Sequence, residues 1–231
     1  MSKRDIQISK SLSYLLRHGA LKEKLPIDAN GYVPLQVLLA HNRLKSHRCT
    51  LEDVHRIVDS NEKKRFHTKV SSEGQELICA TQGHSIKSVL PTEDVLHEIR
   101  DPKELPPKLV HGTTVHNALL ILQSGAIKKL RRNHVHLSPG VTGVDAAVVS
   151  GMRATSNVHI YIKLGSELLE QMKVYKSLNN VYLVPDDVPI ALFDKLTIRP
   201  LKQQEKMGEE LSELLQLLKD HQIHFEFIQD A

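Results

Sequence analysis

Apolar residues in the first part of the chain recur at helical spacing. One stretch places four of them on a single helical face, at Ile8, Leu12, Leu15 and Leu16. Gly19 follows three residues later and can end that helix. The pattern therefore predicts an amphipathic helix whose apolar face packs into a core.

Turn and capping signals predict two further helices. Asp28-Ala-Asn-Gly31 is typical of a turn, and Pro34 can open a second helix that runs through Leu39. Thr50 and Asp53 resemble a capping box in front of a third helix with an apolar face.

A hairpin is predicted next, because the strand-like segments 65–70 and 75–80 flank the polar turn 71–74. Three helices followed by a hairpin is the order of elements in a winged-helix unit, a common scaffold for nucleic-acid binding. A plain helical domain fits the same pattern, so both remain open at this point.

The second half of the chain alternates strand-like and helical segments, which predicts an α+β domain. The predicted strands are 108–111, 134–137, 157–163, 181–183 and 196–199. The predicted helices are 114–123 and an amphipathic C-terminal helix, 202–219, with Leu211, Leu214, Leu215 and Leu218 on one face. The glycines Gly140 and Gly143 lack the spacing of a dinucleotide-binding fingerprint, and the chain has no P-loop motif.

Composition excludes several classes of protein. Of the 231 residues, 40% are hydrophobic and 25% are charged, which excludes wholesale disorder. The N-terminal residues are too polar for a signal peptide, and no apolar run is long enough to span a membrane. Cys49 and Cys79 form neither a disulfide framework nor a metal-ligand spacing. We expect a monomer in a reducing compartment, the cytoplasm or the nucleus, without membrane attachment.

The distribution of charge predicts two lobes. Residues 1–90 carry 15 Lys and Arg against 9 Asp and Glu, and residues 107–201 carry 11 against 6. Between them, residues 91–106 are acidic and rich in proline, which is typical of a linker. We therefore predict domains at 1–90 and 107–231 joined by this linker. Basic surface in both lobes favours a polyanionic ligand.

Three basic or polar groups in the first lobe could bind phosphate. Arg17 and His18 can together clamp an anion, although a cation also complements the end of a helix. Lys63-Lys64-Arg65 opens a predicted strand and could equally be a solvated charge run. Gln82-Gly83-His84-Ser85 could donate several hydrogen bonds to oxyanions or form an ordinary turn.

The second lobe contains a strand end and a pair of histidines. His111-Gly112-Thr113 stands at a predicted strand end before a helix, where free backbone amides can bind an anion or amide ligand. His134 and His136 fall on one face of a strand. Zinc would need a third ligand and the chain has no accompanying motif, so we expect no metal.

Six strings together resemble the RNA 2′-phosphotransferase (KptA) family and occur in that family's order. They are YLLRHGA (14–20), KKRF (63–66), ATQGHS (80–85), VHGT (110–113), NHVHLSPG (133–140) and SGMRATSNV (150–158). The resemblance implies a winged-helix RNA lobe and an NAD-binding lobe like that of ADP-ribosyltransferases.

The reaction implied by the resemblance is the final step of tRNA splicing, in which NAD is a co-substrate. An internal RNA 2′-phosphate would attack the nicotinamide-bearing ribose carbon of NAD, expelling nicotinamide and leaving an ADP-ribosylated RNA phosphate. The neighbouring ribose hydroxyl would then attack the phosphorus. The products would be ADP-ribose 1″,2″-cyclic phosphate and RNA with a 2′-hydroxyl.

Site residues follow from the resemblance by position. The implied catalytic residues are Arg17, His18, Arg65 and Arg153, and they would act on one phosphate. The implied NAD contacts are His111, Gly112, Thr113, His136, Leu137, Ser138 and Asn157. The residues assigned to the RNA phosphate are Lys63, Gln82, Gly83, His84 and Ser85.

Two other functions remain open. No glutamate occurs in the six strings, whereas protein ADP-ribosyltransferases use one to orient the acceptor, so a phosphate acceptor is favoured. An enzyme that ADP-ribosylates a phosphorylated nucleic-acid end and stops there is the first alternative. A non-catalytic RNA-binding module is the second, and it predicts salt-sensitive RNA binding without consumption of NAD.

Overall fold

The computed structural model describes residues 2–90, 95–145, 148, 150–199 and 208–228, and these form two compact units. The first unit contains the residues up to His97 together with Arg131–Asn133 and Ser177–Asn179. The second contains Glu98–Leu130, His134–Lys176 and the chain from Asn180 onward. Two short segments from the second half of the sequence therefore pack with the first unit.

Helices build most of the first unit. Their bounds are α1 Lys3–Tyr14, a π-helical turn Leu15–Gly19, α2 Leu35–Leu39, α3 Asn42–Lys45 and α4 Leu51–Asp59. The four apolar residues predicted to share a face of the first helix are fully buried, which confirms that prediction. The capping box at the start of α4 is also confirmed, because the Thr50 hydroxyl accepts from the Asp53 amide and the Asp53 carboxylate accepts from the Thr50 amide.

A three-stranded antiparallel sheet completes the first unit. The strands are β1 Tyr32–Pro34, β2 Phe66–Val70 and β3 Glu76–Ala80, in the order β1-β3-β2. The predicted hairpin is β2 and β3. The turn before β1 is also confirmed, since the Asp28 carboxylate accepts from the Tyr32 amide at 2.7 Å and Gly31 has a left-handed φ of 86°.

A four-stranded sheet of the second unit contains β5 Leu109–Thr113, β8 Val158–Ile162, β12 Phe193–Ile198 and β13 His224–Phe227. Its strand order is β13-β12-β8-β5. The pairing is antiparallel except between β12 and β13, which are parallel.

Shorter strands form two further sheets. One has the order β4-β9-β10-β7, and a two-stranded sheet pairs β6 with β11. Their bounds are β4 Leu96–Ile99, β6 Ala126–Ile127, β7 Val135–Leu137, β9 Val174–Ser177, β10 Tyr182–Val184 and β11 Val188–Pro189.

Helices cover the core of the second unit. They are α5 Val115–Ser124, α6 Ser166–Gln171 and α7 Gly208–Asp220. α7 packs on α5, where the His116 ring bonds the Glu210 carboxylate at 2.7 Å and Gln123 donates to Glu213 at 3.0 Å. Of the predicted C-terminal helix, residues 202–207 lie outside the described residues.

Each unit has its own apolar core, and the whole is a mixed α/β fold, as the pattern predicted at that level. In the parts of the chain that the structure describes, no helix is long and apolar enough to cross a membrane.

Candidate functional site

Arg17 and His18 lie in the π-helical turn that continues α1. A π-helical turn widens the backbone relative to an α-helix and is frequent at functional sites. The two leucines before them point into the core and are fully buried, which fixes the turn in place. The helical segment ends at Gly19, as predicted, and Ala20, which caps the turn, retains right-handed helical angles.

Part of the Arg17 guanidinium is buried without a hydrogen-bond partner. Its Nε and Nη2 atoms are shielded from solvent, and no group in the described ranges accepts a hydrogen bond from either. Desolvation, followed by the charges of Arg65 and Arg132, lowers the pKa of Arg17 to about 10. A buried cation with unsatisfied donors destabilises the fold unless an anion accepts hydrogen bonds from those donors. Arg17 is therefore prepared for an anionic ligand.

The loop after β3 holds these two basic residues. The Ser85 amide donates to the Arg17 carbonyl at 2.9 Å, and the Ser85 hydroxyl bonds His18 Nδ1 at 2.9 Å. Gly83 adopts a φ of 91°, and a Cβ there would lie 3.4 Å from Arg17 Nε. His84 is buried on the other side, against Gly31. Gly83 and Ser85 thus contact the basic pair directly, whereas His84 packs into the scaffold.

Arg65 stands immediately before β2. Its carbonyl accepts from the Thr81 amide at 2.9 Å, and its Nη1 donates to Asn61 Oδ1 at 3.4 Å. Burial lowers the pKa of Arg65. Lys63 is exposed, and its carbonyl accepts from Asn179 Nδ2 at 3.0 Å. Arg65 is therefore held at the start of β2, and Lys63 is anchored through its backbone carbonyl.

Arg132 is a further basic residue in the first unit that the sequence did not single out. Its neighbour Asn133 donates through Nδ2 to the carbonyls of Ile86 and Val89 at 2.8 and 3.0 Å. The Asn133 amide also donates to the His84 carbonyl at 2.9 Å. These bonds fasten the Arg131–Asn133 segment to the loop that holds Arg17. The paired arginines before the NHVHL string were the available signal for this residue.

A cavity of about 460 Å³ opens beside these residues. Its lining residues are Ile6, Ser9, Lys10, Ser13, Tyr14, Arg17, His18 and Arg65. None of them is acidic, and two are arginines, whose fork of donors suits a phosphate. The first unit therefore contains a candidate site for a phosphate-like dianion.

The titration of His18 gives a first prediction. Desolvation and the charges of Arg17 and Arg132 lower the pKa of His18, so the ring is neutral near pH 7 in the free protein. A bound dianion raises that pKa, and binding therefore takes up a proton. We expect sulfate, which stays a dianion, to bind more tightly as the pH falls through the pKa of the bound state, by at most about tenfold per pH unit.

Calorimetric titration of the full chain with sulfate between about pH 8 and about pH 5.5 measures this effect. The gain levels off below the pKa of the free state, which lies under its ordinary value of 6.5. His18→Asn serves as the matched variant, in which the pH dependence should disappear. If sulfate affinity depended on pH equally steeply in that variant, the proton would belong to another group.

The second unit brings together the residues that the resemblance connects with NAD. Val110 and Ser138 exchange two backbone hydrogen bonds, at 2.9 and 2.8 Å, which joins β5 to the end of β7. His111 Nδ1 donates to the His136 carbonyl at 3.0 Å. The side chain of Leu137 is fully buried in the core, so only its backbone can face a ligand. The two strands thus place His111, His136 and Ser138 side by side.

The strand runs further than predicted at this point. Gly112 and Thr113 pair with His159 and Val158 of β8, so they belong to β5 instead of a loop after it. The predicted end of this strand at His111 is therefore two residues too early. α5 begins at Val115.

Asn157 lies next to Thr113 and contributes an unsatisfied polar atom. The Asn157 amide donates to the Thr113 carbonyl at 2.9 Å. Its side chain is 2% exposed, and within the described residues Oδ1 accepts no hydrogen bond. A buried acceptor without a donor fits a ligand that supplies a hydroxyl or an amide N–H.

Arg153 extends from a loop that packs on the same strands. A Cβ on Gly112 would lie 2.3 Å from Met152 Cγ, so the glycine makes room for the residue before Arg153. Gly151 has a φ of 95°, and a Cβ added to it would lie 3.4 Å from Ser138 Cα. Arg153 itself is exposed. The loop is thus seated by close glycine contacts, which leave the arginine side chain accessible.

His134, which precedes β7, and His136, within it, have an environment of their own. The His134 ring meets Tyr175 edge-on at 6.3 Å, and desolvation lowers its pKa to about 4. His136 Nδ1 donates to the His134 carbonyl at 3.1 Å. Across the described ranges, no group of three His, Cys, Asp or Glu side chains could hold a metal ion.

Comparison with known proteins agrees with the resemblance in residues 14–158. The family model described as RNA 2′-phosphotransferase, Tpt1 / KptA family, matches residues 3–186. The tRNA 2′-phosphotransferase of Saccharomyces cerevisiae is 53% identical over 207 residues, covering 89% of each chain. The tRNA 2′-phosphotransferase 1 of Homo sapiens is 37% identical over 217 residues, covering 91% of this chain and 83% of the human protein. The probable RNA 2′-phosphotransferase of Flavobacterium johnsoniae is 35% identical over 182 residues, covering 79% of this chain and 91% of the bacterial protein. With a family match over most of its length and relatives this similar, the chain belongs to the RNA 2′-phosphotransferase family, Tpt1 / KptA.

Proposed function

We propose that this protein removes an internal 2′-phosphate from spliced tRNA and transfers it to ADP-ribose derived from NAD. The observation that carries the proposal is Arg17, a buried guanidinium with two unsatisfied nitrogens that lines a cavity with Arg65 and His18. A guanidinium with unsatisfied donors binds an anion favourably. The chain belongs to a family of RNA 2′-phosphotransferases, so the anion that we assign is a phosphate on RNA. The tRNA named for the yeast and human relatives is the substrate that we assign.

Each unit has a proposed scaffold. The helices of the first unit with the sheet β1-β3-β2 support a winged-helix lobe for RNA, since the hairpin β2–β3 follows the helix α4. The two four-stranded sheets that contain β5 and β7 support an ADP-ribosyltransferase-like lobe for NAD.

The residues of the second unit fit NAD. Asn157 Oδ1 is a buried acceptor that a ribose hydroxyl or the nicotinamide carboxamide can satisfy. Because a carbonyl only accepts, His111 must carry its proton on Nδ1, which leaves Nε2 as an acceptor in the neutral ring. We assign NAD to His111, Gly112, Thr113, His136, Ser138 and Asn157, and to the backbone of Leu137.

In the proposed first step, a 2′-phosphate oxygen of the RNA attacks the ribose carbon that bears nicotinamide, and nicotinamide leaves with the bonding electron pair. The nucleophile is already an anion, so no general base is required. The main cost is to hold a dianion against the negative charges of the dinucleotide, and fixed guanidinium groups offset that repulsion. Arg17, Arg65 and His18 supply these charges in the first unit.

In the proposed second step, the ribose 2″-hydroxyl attacks the phosphorus and the RNA 2′-oxygen leaves. The hydroxyl loses its proton, and the RNA oxygen gains one, so charge balances. Negative charge grows on the phosphoryl oxygens, where arginines stabilise the transition state more than the ground state. We assign this stabilisation to Arg65 and Arg153. His18, whose pKa lies below its ordinary value, can carry the proton.

The test supplies the protein with NAD and an RNA that carries one internal 2′-phosphate. We expect release of nicotinamide, formation of ADP-ribose 1″,2″-cyclic phosphate and loss of the RNA phosphate. Matched RNA without the 2′-phosphate should release no nicotinamide. Equal release from both RNAs would overturn the proposal, and an ADP-ribosylated RNA as final product would favour a transferase that stops after the first step.

His111→Ala tests the assignment of NAD to the second unit. The variant loses a side chain fixed against β7 and should raise the KM for NAD by about tenfold, the cost of one good hydrogen bond. The affinity for 2′-phosphorylated RNA, measured by fluorescence anisotropy without NAD, should not change. An unchanged KM for NAD would remove His111 from the site.

A further inference from the structure

The cavity at Arg17 extends as a groove along α1. Its lining residues on this helix, Ile6, Lys10 and Ser13, recur at intervals of three or four positions. Side chains at that spacing lie above one another on a single helical face. The groove therefore follows this face of α1, and Arg17 lies at its inner end in the π-helical turn.

The groove is electropositive because its lining contains Lys10, Arg17 and Arg65 and no acidic residue. Asp5 accepts from Arg56 Nη2 at 2.7 Å, which directs its charge toward α4. Lys10 is exposed and lines the groove. Charge along this face is thus positive, from Lys10 to the arginines at the inner end.

The wall of the groove is also preformed. The Tyr14 ring lies against Gly19, where a Cβ would be 2.6 Å from Tyr14 Cε1. The Tyr14 hydroxyl donates to Glu23 at 3.4 Å, and the Arg43 guanidinium lies 4.2 Å from the ring centroid. Three contacts hold the ring, so a ligand in the groove need not order it. Preorganisation of this kind lowers the cost of binding.

The proposed substrate has charges that match this row. A nucleotide with an internal 2′-phosphate is also joined to the next nucleotide by a phosphodiester, so a second anion always lies close to the first. Lys10 precedes Arg17 by seven residues, or about 10 Å at a helical rise of about 1.5 Å per residue. Lys10 is therefore placed for a different phosphate from the one that Arg17 binds.

We propose that the groove along α1 binds the RNA strand that flanks the 2′-phosphorylated nucleotide. Lys10 pairs with a backbone phosphate of that strand, and the Ser13 hydroxyl donates to a phosphate or sugar oxygen beside it. This inference rests on the proposed function and extends the same site. A basic groove that follows the backbone is the usual way in which proteins hold single-stranded nucleic acid.

The experiment compares Lys10→Ala with Lys45→Ala in the full chain. Lys45 is also an exposed helical lysine, but it does not line the groove. The substrates are a 2′-phosphorylated dinucleotide and a longer single-stranded RNA with the same modified nucleotide. Their KM and kcat are measured at several salt concentrations, and RNA affinity is measured separately by anisotropy without NAD.

We expect Lys10→Ala to raise the KM for the longer RNA about fivefold, as for an exposed ion pair, and the KM for the dinucleotide by less than about twofold. The slope of log affinity against log salt should fall by about 0.7, the loss of one phosphate contact to a single strand. Lys45→Ala should change neither value. Equal effects of the two variants, or an unchanged salt slope in Lys10→Ala, would overturn the assignment of RNA to the groove. The proposed function would survive that result if the wild-type protein still catalyses the reaction. Wild-type protein without any reaction would instead overturn the proposed function.

Discussion

Arg153→Ala is expected to convert the proposed enzyme into one that accumulates ADP-ribosylated RNA. The loop that carries Arg153 is seated on β5 and β7 by Gly112 and Gly151, so removal of the exposed side chain should not disturb it. The first step needs no acid or base, whereas negative charge on the phosphoryl oxygens develops in the second. Loss of one preorganised donor to such charge typically slows a step by about 10²–10³-fold. The second step should therefore become much slower than the first.

A single-turnover experiment with end-labelled, 2′-phosphorylated RNA measures both steps at once. Nicotinamide release should continue in Arg153→Ala while the ADP-ribosylated RNA builds up, and Arg65→Ala should behave in the same direction. Arg100→Ala is the control in the second unit, because that side chain is 74% exposed and pairs with Glu98 at 3.0 Å. Weaker RNA binding without any accumulated intermediate would reassign both arginines to docking of the RNA.

Elements with local signals could be predicted from the sequence. The capping box of α4 and the hairpin β2–β3 are each encoded within a few residues, and both are present. β1 and α3 were missed because they have three and four residues. β1 becomes a strand by pairing with β3, a contact that no local pattern contains.

The end of β5 shows how packing overrides a local signal. The predicted strand stops at His111, and a glycine such as Gly112 weakens a strand by propensity. In the fold, Met152 fills the space that a Cβ would occupy, and the glycine pairs with His159 in the sheet. The missing side chain of Gly112 thus leaves room for the loop that carries Arg153.

The candidate site, too, could be predicted from the sequence only in part. Arg17 and His18 stand together in one string, so a phosphate clamp could be proposed from neighbouring residues. Arg132 lies more than a hundred positions away, and the amide of Asn133 brings it to the same unit through the carbonyls of Ile86 and Val89. Such long-range hydrogen bonds have no sequence signature.

Arg17→Met is expected to abolish the reaction and stabilise the protein. In the folded chain the charged guanidinium is desolvated and lies near two other arginines, and its pKa is about 10 against 12.5 for a free side chain. A base whose folded pKa is lowered destabilises the fold at every pH below that value. An apolar side chain of similar length removes the unsatisfied donors, which should raise the free energy of unfolding by about 2 kcal/mol.

Urea denaturation at neutral pH measures that gain, and the same samples can be assayed for nicotinamide release, which should fall at least about 10³-fold. Arg48→Met is the matched control, since Arg48 is exposed and lines no part of the cavity. Added phosphate should raise the melting temperature of the wild type and of Arg48→Met but not of Arg17→Met, because only a bound anion satisfies the buried guanidinium. A less stable Arg17→Met variant would show that the arginine is held by the fold itself, and the anion site would then have to be sought elsewhere.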